Sequence, residues 1–304
     1  MRILVTGHKG FIGQWLCSEL RANNHDVSGV DHVLSPDDDL RVPGIAERAV
    51  REARPEVVVH LAAKVGRLFG EDNPQETIID NAAMTALVAK AAAGRDARFV
   101  YASTSEVYGD QGHEACDEYD GPFSLPHNID GLSKRWGEDA AILYCPDSLV
   151  VLRFSMPYGP GLPAGRGRAA IINMLWQAQR RQPIPVHMGA ERSWCWIGDT
   201  VRAATLALED GNGAYNVGRD DTRVTMLDVA RHACYLTGAD PDEHIQLVDA
   251  PANQTVVKRL STDRIRQLGW KPEVGLADGM ERTLEWVRLL DEDGMPTPAA
   301  LELV

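Results

Sequence analysis

Short apolar runs and longer stretches of helical period alternate along the first half of this chain. Arg2-Ile3-Leu4-Val5-Thr6 reads as a buried strand, followed by a glycine turn and a helix from Phe11. Further strands are predicted at 26–30, 57–63, 98–103 and 149–154, each rich in β-branched or other apolar residues. Between them, apolar positions at helical spacing predict helices over 46–54, 77–93 and 130–144, the first stopped by Pro55. Strands that are apolar throughout and alternate with helices predict an α/β fold around a parallel sheet.

The first turn adds chemistry to that pattern. In Thr6-Gly7-His8-Lys9-Gly10-Phe11-Ile12-Gly13, Gly7 permits a sharp turn off the strand, Gly10 lets backbone approach a pyrophosphate, and Gly13 allows close helix packing. The N–H groups that open the helix, including those of Phe11 and Ile12, suit an anion. Asp31 ends the second strand at the spacing of a ribose-binding acid, where it accepts from both hydroxyls and repels a 2′-phosphate. The expectation is a doubly wound Rossmann sheet that binds NAD. Asp39 and Leu40 are the candidates for adenine, while Leu61, Ala62, Ala63 and Ser103 fall at strand ends facing the cofactor. Asn81, polar on a largely apolar helix, suggests a structural hydrogen bond.

After the strand at 149–154 the pattern loosens. Pro157 and Gly159-Pro160-Gly161 break it, and helices and short strands then alternate irregularly up to an amphipathic segment at 275–290. This predicts an NAD-binding domain over 1–157 and a smaller C-terminal α+β substrate lobe over 158–304, with the chain free to cross between them. In the second part, Trp194 and Trp196 alternate, so one is expected in the core and the other at the cleft or a subunit contact. Arg192 is the leading candidate for a diphosphate, Arg259 a further one, and Arg166 and Arg168 form either a phosphate-binding segment or a solvated loop.

Composition narrows the partners. The 304 residues are 44% hydrophobic and carry a net charge of -13, which argues against nucleic acid or an anionic membrane surface. Five cysteines, odd in number and with no Cys-x-x-Cys pair, suggest neither a disulfide framework nor a zinc site, and no metal is expected. No apolar run reaches spanning length and the first strand leaves no room for a signal peptide, so a cytoplasmic location is expected.

The glycine turn, Asp31, His60-Leu61-Ala62-Ala63, Thr104-Ser105-Glu106-Val107-Tyr108-Gly109, Ser133-Lys134, Tyr158-Gly159-Pro160-Gly161 and Leu268-Gly269-Trp270 together resemble the extended short-chain dehydrogenase/reductases. More narrowly, they resemble the NAD-dependent epimerase/dehydratase branch acting on nucleotide sugars. The resemblance runs from Arg2 to about Arg288. It implies transient oxidation to a keto sugar, with Thr104 on the reacting hydroxyl, Ser105 near the sugar, Glu106 as proton acceptor and Lys134 on the nicotinamide ribose. It also implies a homodimer formed by the helices at 77–93 and around Lys134. Two positions depart from the family pattern: Met156 replaces a common asparagine, and Asp130 stands where Tyr-x-x-x-Lys requires tyrosine.

Aspartate is a much weaker base than an activated phenol, and Lys134 beside it is expected to lower its pKa further. Three readings follow. Another group supplies the base, with Tyr108, Tyr119, His127, Glu106 or Asp130 through water as candidates; the fold serves a different substrate; or the protein is a redox-silent NAD-binding sensor or partner subunit. Tyr108 and Tyr158 also belong to packing motifs, for which a structural role is expected.

Overall fold

A computed structural model describes residues 1–110, 115–118, 125–165, 170–221 and 224–301. Its centre is a six-stranded parallel sheet. Strands β1 (Arg2–Thr6), β2 (Asp26–Val30), β3 (Val57–His60), β4 (Arg98–Thr104) and β5 (Leu149–Phe154) are joined by a sixth, Gly213–Val217. The spatial order is Gly213–Val217, β5, β4, β3, β1, β2, with the order reversing beside β1. In such sheets the crevice outside the carboxyl ends at the reversal takes the ligand. Every residue of β3 and β5 is buried, as their apolar runs require.

Helices cover both faces. Helices α1 (Phe11–Ala22), α2 (Ile45–Ala53), α3 (Arg67–Asp72), α4 (Pro74–Ala93) and α5 (Ile129–Tyr144) belong to the first part, and α6 (Ala170–Gln179), α7 (Ile197–Asp210) and α8 (Met226–Thr237) to the second. Core residues of β1, β3 and β5 on one face are continuous with α1, α6, α7 and α8, while the other face packs on α2, α4 and α5. Pro74 opens α4, where its missing N–H costs nothing, so that helix starts three residues before the expected Thr77. The six-residue α3 was not expected at all.

Residues 213–217 follow the boundary at 157 in sequence, yet they hydrogen-bond in register with Val150–Phe154 of β5. Trp194 and Trp196 are both buried, edge-on to Tyr158. The alternation expected to send one of them to the cleft is overridden by this aromatic cluster.

Candidate active site

The carboxyl ends of β1–β5 open into one groove of about 1080 Å³. At its floor Gly7 has φ +69°, and a Cβ there would lie 2.7 Å from the Ala62 nitrogen. A Cβ on Gly13 would sit 2.3 Å from the Gly7 carbonyl oxygen, so α1 meets the turn only because position 13 is bare. Gly10 meets only that same oxygen, at 3.2 Å, and its outer side faces the groove. No side chain caps α1, so its first N–H groups remain available to a ligand anion. These residues fit a dinucleotide diphosphate.

Asp31 is buried, with Oδ2 accepting from the Lys9 N–H at 3.0 Å and Oδ1 from the Val33 N–H at 3.1 Å. Each oxygen keeps a lone pair, so the fixed carboxylate suits a ribose diol. Leu40, Leu61, Ala62 and Ala63 also line the groove. Asp39 lines it too, but Oδ1 accepts from the Arg41 N–H and Nε, and Oδ2 from Nε and Nη2. Those bonds hold its carboxyl down at about 2 and fill the acceptor sites expected to serve adenine. Ser103 likewise turns its hydroxyl away, donating to Glu138 at 2.5 Å, and Glu138 in turn pairs with buried Arg153 at 2.7 Å.

The reacting end is built by α5. Lys134 is buried and donates from Nζ to the Ala102 carbonyl at 2.8 Å; burial pushes its ammonium down to about 8, while Asp130 pulls it up. One turn earlier on the same face, Asp130 accepts the Gly66 N–H at 3.2 Å and lines the groove. Burial raises its carboxyl from the ordinary value, outweighing Lys134 and the Gly66 bond. The expected lowering is thus reversed: the sequence shows the neighbouring charge but not the loss of water. Asn81 accepts from the Lys64 N–H and donates to the Lys64 carbonyl and the Ser133 hydroxyl, each at 2.8–2.9 Å, tying the loop after β3 to α5.

Thr104 and Ser105 line the groove, and Thr104 Oγ1 accepts the Glu106 N–H at 3.3 Å. The Glu106 carboxylate accepts from Lys258 Nζ, from Asn128 Nδ2 at 3.1 Å and from the Thr255 hydroxyl at 3.1 Å. Lys258, Thr255 and Asn128 carried no signal in the sequence that pointed to Glu106.

Among the other candidate bases, Tyr108 is buried away from the groove, donating to Asn216 Oδ1 at 2.7 Å and accepting from Arg153 at 2.9 Å, with burial pushing its phenol up. His127 is exposed and does not line the groove. Tyr119, Arg166 and Arg168 lie outside the described residues. Met156 lines the groove with φ 44°, an unusual conformation for a side chain without a polar group to stabilise it. Arg192 reaches the groove, buried, with Nη1 donating to the carbonyls of Glu191 and Val256 at 2.7 Å. Arg259 does not reach it. Its guanidinium pairs with Glu191 at 2.6 Å and lines a neighbouring cavity of about 350 Å³ that shares Arg192 and Lys258 with the groove.

Residues 3–218 match the model of the NAD dependent epimerase/dehydratase family. The chain belongs to this family. As a family member it is an NAD-dependent enzyme with a Rossmann fold, and the resemblance read from its motifs holds over most of its length. A putative UDP-glucose 4-epimerase of Methanocaldococcus jannaschii is 28% identical over 94% of this chain and 98% of its own. UDP-glucuronic acid decarboxylase 6 of Arabidopsis thaliana is 29% identical over 95% and 89%. Among solved structures, the UDP-glucose 4-epimerase of Thermus thermophilus in complex with NAD superposes with a TM-score of 0.86 at 26% identity, covering 95% of this chain and 99% of that one. Among the described residues no helix is long and apolar enough to cross a membrane.

Proposed function

We propose that this family member acts on a nucleotide-linked sugar, by transient oxidation to a keto sugar, with Asp130 as the group that takes the hydroxyl proton. The observation that carries the assignment is that Asp130 and Lys134 stand one turn apart on one face of α5 and line the groove with Thr104, with the Asp130 carboxyl raised by burial. A raised carboxyl is a stronger base than a free one, which partly makes up for the missing phenol.

The glycine turn and Asp31 hold NAD, which when bound supplies the hydride acceptor and donor. Lys134, fixed on the Ala102 carbonyl, keeps positive charge beside Asp130 and orients the ribose. Thr104 directs the reacting hydroxyl. Glu106 holds segment 253–258 over the groove, since a carboxylate satisfied by an ammonium and two further donors is a poor proton acceptor. Arg192 serves the diphosphate. We further propose a homodimer through α4 and α5, whose outer faces expose Ile79, Trp136 and Leu143.

The test is reduced-nicotinamide absorbance, with NAD saturating, on addition of UDP-, GDP-, CDP- and dTDP-linked sugars in turn. At least one is expected to reduce the cofactor or be converted, and Asp130→Asn is expected to slow that reaction about a hundredfold or more. Unchanged turnover in Asp130→Asn removes the base from this residue.

A further inference from the structure

A chain of net charge -13 reverses sign at one end of its groove. Arg67, Arg192 and Lys258 all line it, and all are tied to the same short segment. Arg67 Nη1 donates to Asn253 Oδ1 at 3.3 Å, Arg192 to the Val256 carbonyl at 2.7 Å, and Lys258 belongs to the segment itself. Among the described residues, of these three only Lys258 has an acid against it, Glu106. Among the described residues neither Arg67 nor Arg192 pairs with a carboxylate; the one bonds an amide, the other backbone carbonyls. Burial and the charge of Arg67 push Arg192 down to about 10, and Arg67 and Arg192 both push His187 down after burial has done so. Like charges gathered in a cleft without counter-ions are costly, and a ligand anion removes the cost.

The two arginines occupy different places. Arg192 forms part of the wall shared with the smaller cavity that holds Arg259. Arg67 follows Gly66, whose N–H is bonded to Asp130, so its backbone stands beside the reacting end while its guanidinium reaches Asn253 and the neighbourhood of Arg192 and Lys258. A diphosphate suits the first position, whereas the second is anchored nearer the reacting end, where a sugar would lie. Accepting the nucleotide-sugar reading above, on which this rests, we infer that the sugar bears a carboxylate and that Arg67 grips it. The planar guanidinium fork matches a carboxylate in geometry as well as charge, which a neutral sugar would not use.

Calorimetric titration of the NAD-loaded full chain tests this with bare UDP and GDP and two matched pairs, UDP-glucose against UDP-glucuronate and GDP-mannose against GDP-mannuronate. In the pair whose nucleotide binds, the acid is expected to bind at least about tenfold tighter than the neutral sugar, a difference of about 1.4 kcal/mol. Arg67→Met is expected to erase that preference while leaving the neutral sugar and bare nucleotide within about twofold, and Arg67→Lys to restore part of it. NAD affinity and circular dichroism establish that each variant is folded. Equal affinity for acid and neutral sugar in the unaltered protein overturns the inference. So does a uniform loss across acid, neutral sugar and bare nucleotide in Arg67→Met, which would make Arg67 a diphosphate ligand. Binding of NAD with none of these compounds, and with none of the CDP- and dTDP-linked sugars of the panel above, would instead sink the nucleotide-sugar reading itself, and this inference with it.

Discussion

His60 shows how far a strand can drive a titratable group. It ends β3, wholly buried, with Nδ1 bonded to the Thr6 hydroxyl at 2.7 Å and Nε2 without a partner among the described residues. Burial pushes its imidazole down to about 3, with Lys134 adding to the effect. The folded protein therefore holds this ring neutral, while the unfolded chain takes up a proton below about pH 6.5. Its contribution to stability is complete above that pH and is lost progressively as pH falls toward 3. Melting temperatures between pH 8 and 5 are expected to decline less steeply in His60→Leu than in the unaltered protein. Identical slopes would mean that the ring is solvated in the fold and titrates there as it does in the unfolded chain. Asp130 follows the same physics with the opposite sign of charge: loss of water favours the neutral acid over the carboxylate.

Helix α5 carries the reacting residues, and its placement depends on a bare position. A Cβ at Gly137 would lie 2.0 Å from the Tyr101 hydroxyl, so the helix rests directly on β4 at the level that sets Lys134 over Ala102. Its other side exposes Trp136 and Leu143. If α4 and α5 pair with a second copy, Leu143→Asp is expected to shift the protein from dimer to monomer in light scattering, with NAD affinity retained; a mass unchanged from the unaltered protein would count against that interface. Most of this element was legible. Apolar spacing and Lys134 placed α5 within one residue of its observed start, and the β-branched runs located all five strands up to Phe154, although the third ends at His60 and leaves the expected 61–63 as loop. Helix α3 was not legible because six residues hold too few turns for a period, and its first residue, Arg67, stayed hidden with it. Strand Gly213–Val217 was missed for a different reason, since its place beside β5 is decided by packing at long range.

At the scale of the molecule, the two halves of the chain are held together by contacts that no local pattern announces. Glu106 and Lys258 are 152 residues apart, and both are largely buried. Removing one partner of a buried pair strands the other, at a cost of about 3–5 kcal/mol, whereas removing both together costs less. Lys258→Met is therefore expected to lower the melting temperature by several degrees and weaken sugar binding as segment 253–258 loosens. The double variant Glu106→Gln, Lys258→Met is expected to regain part of the lost stability. If the single and double variants melt alike, the two side chains are not coupled.

The sixth strand has a consequence for how the molecule is made. Until residue 217 has left the ribosome, β5 waits as an open rim of a five-stranded sheet, with a ladder of N–H and C=O groups unmatched along it. The nucleotide-binding core cannot be completed when its own sequence has been synthesised, because its last piece arrives about sixty residues later, after α6 and α7. Fragments cut at 157 inherit that rim permanently, and their natural remedy is to pair it with each other.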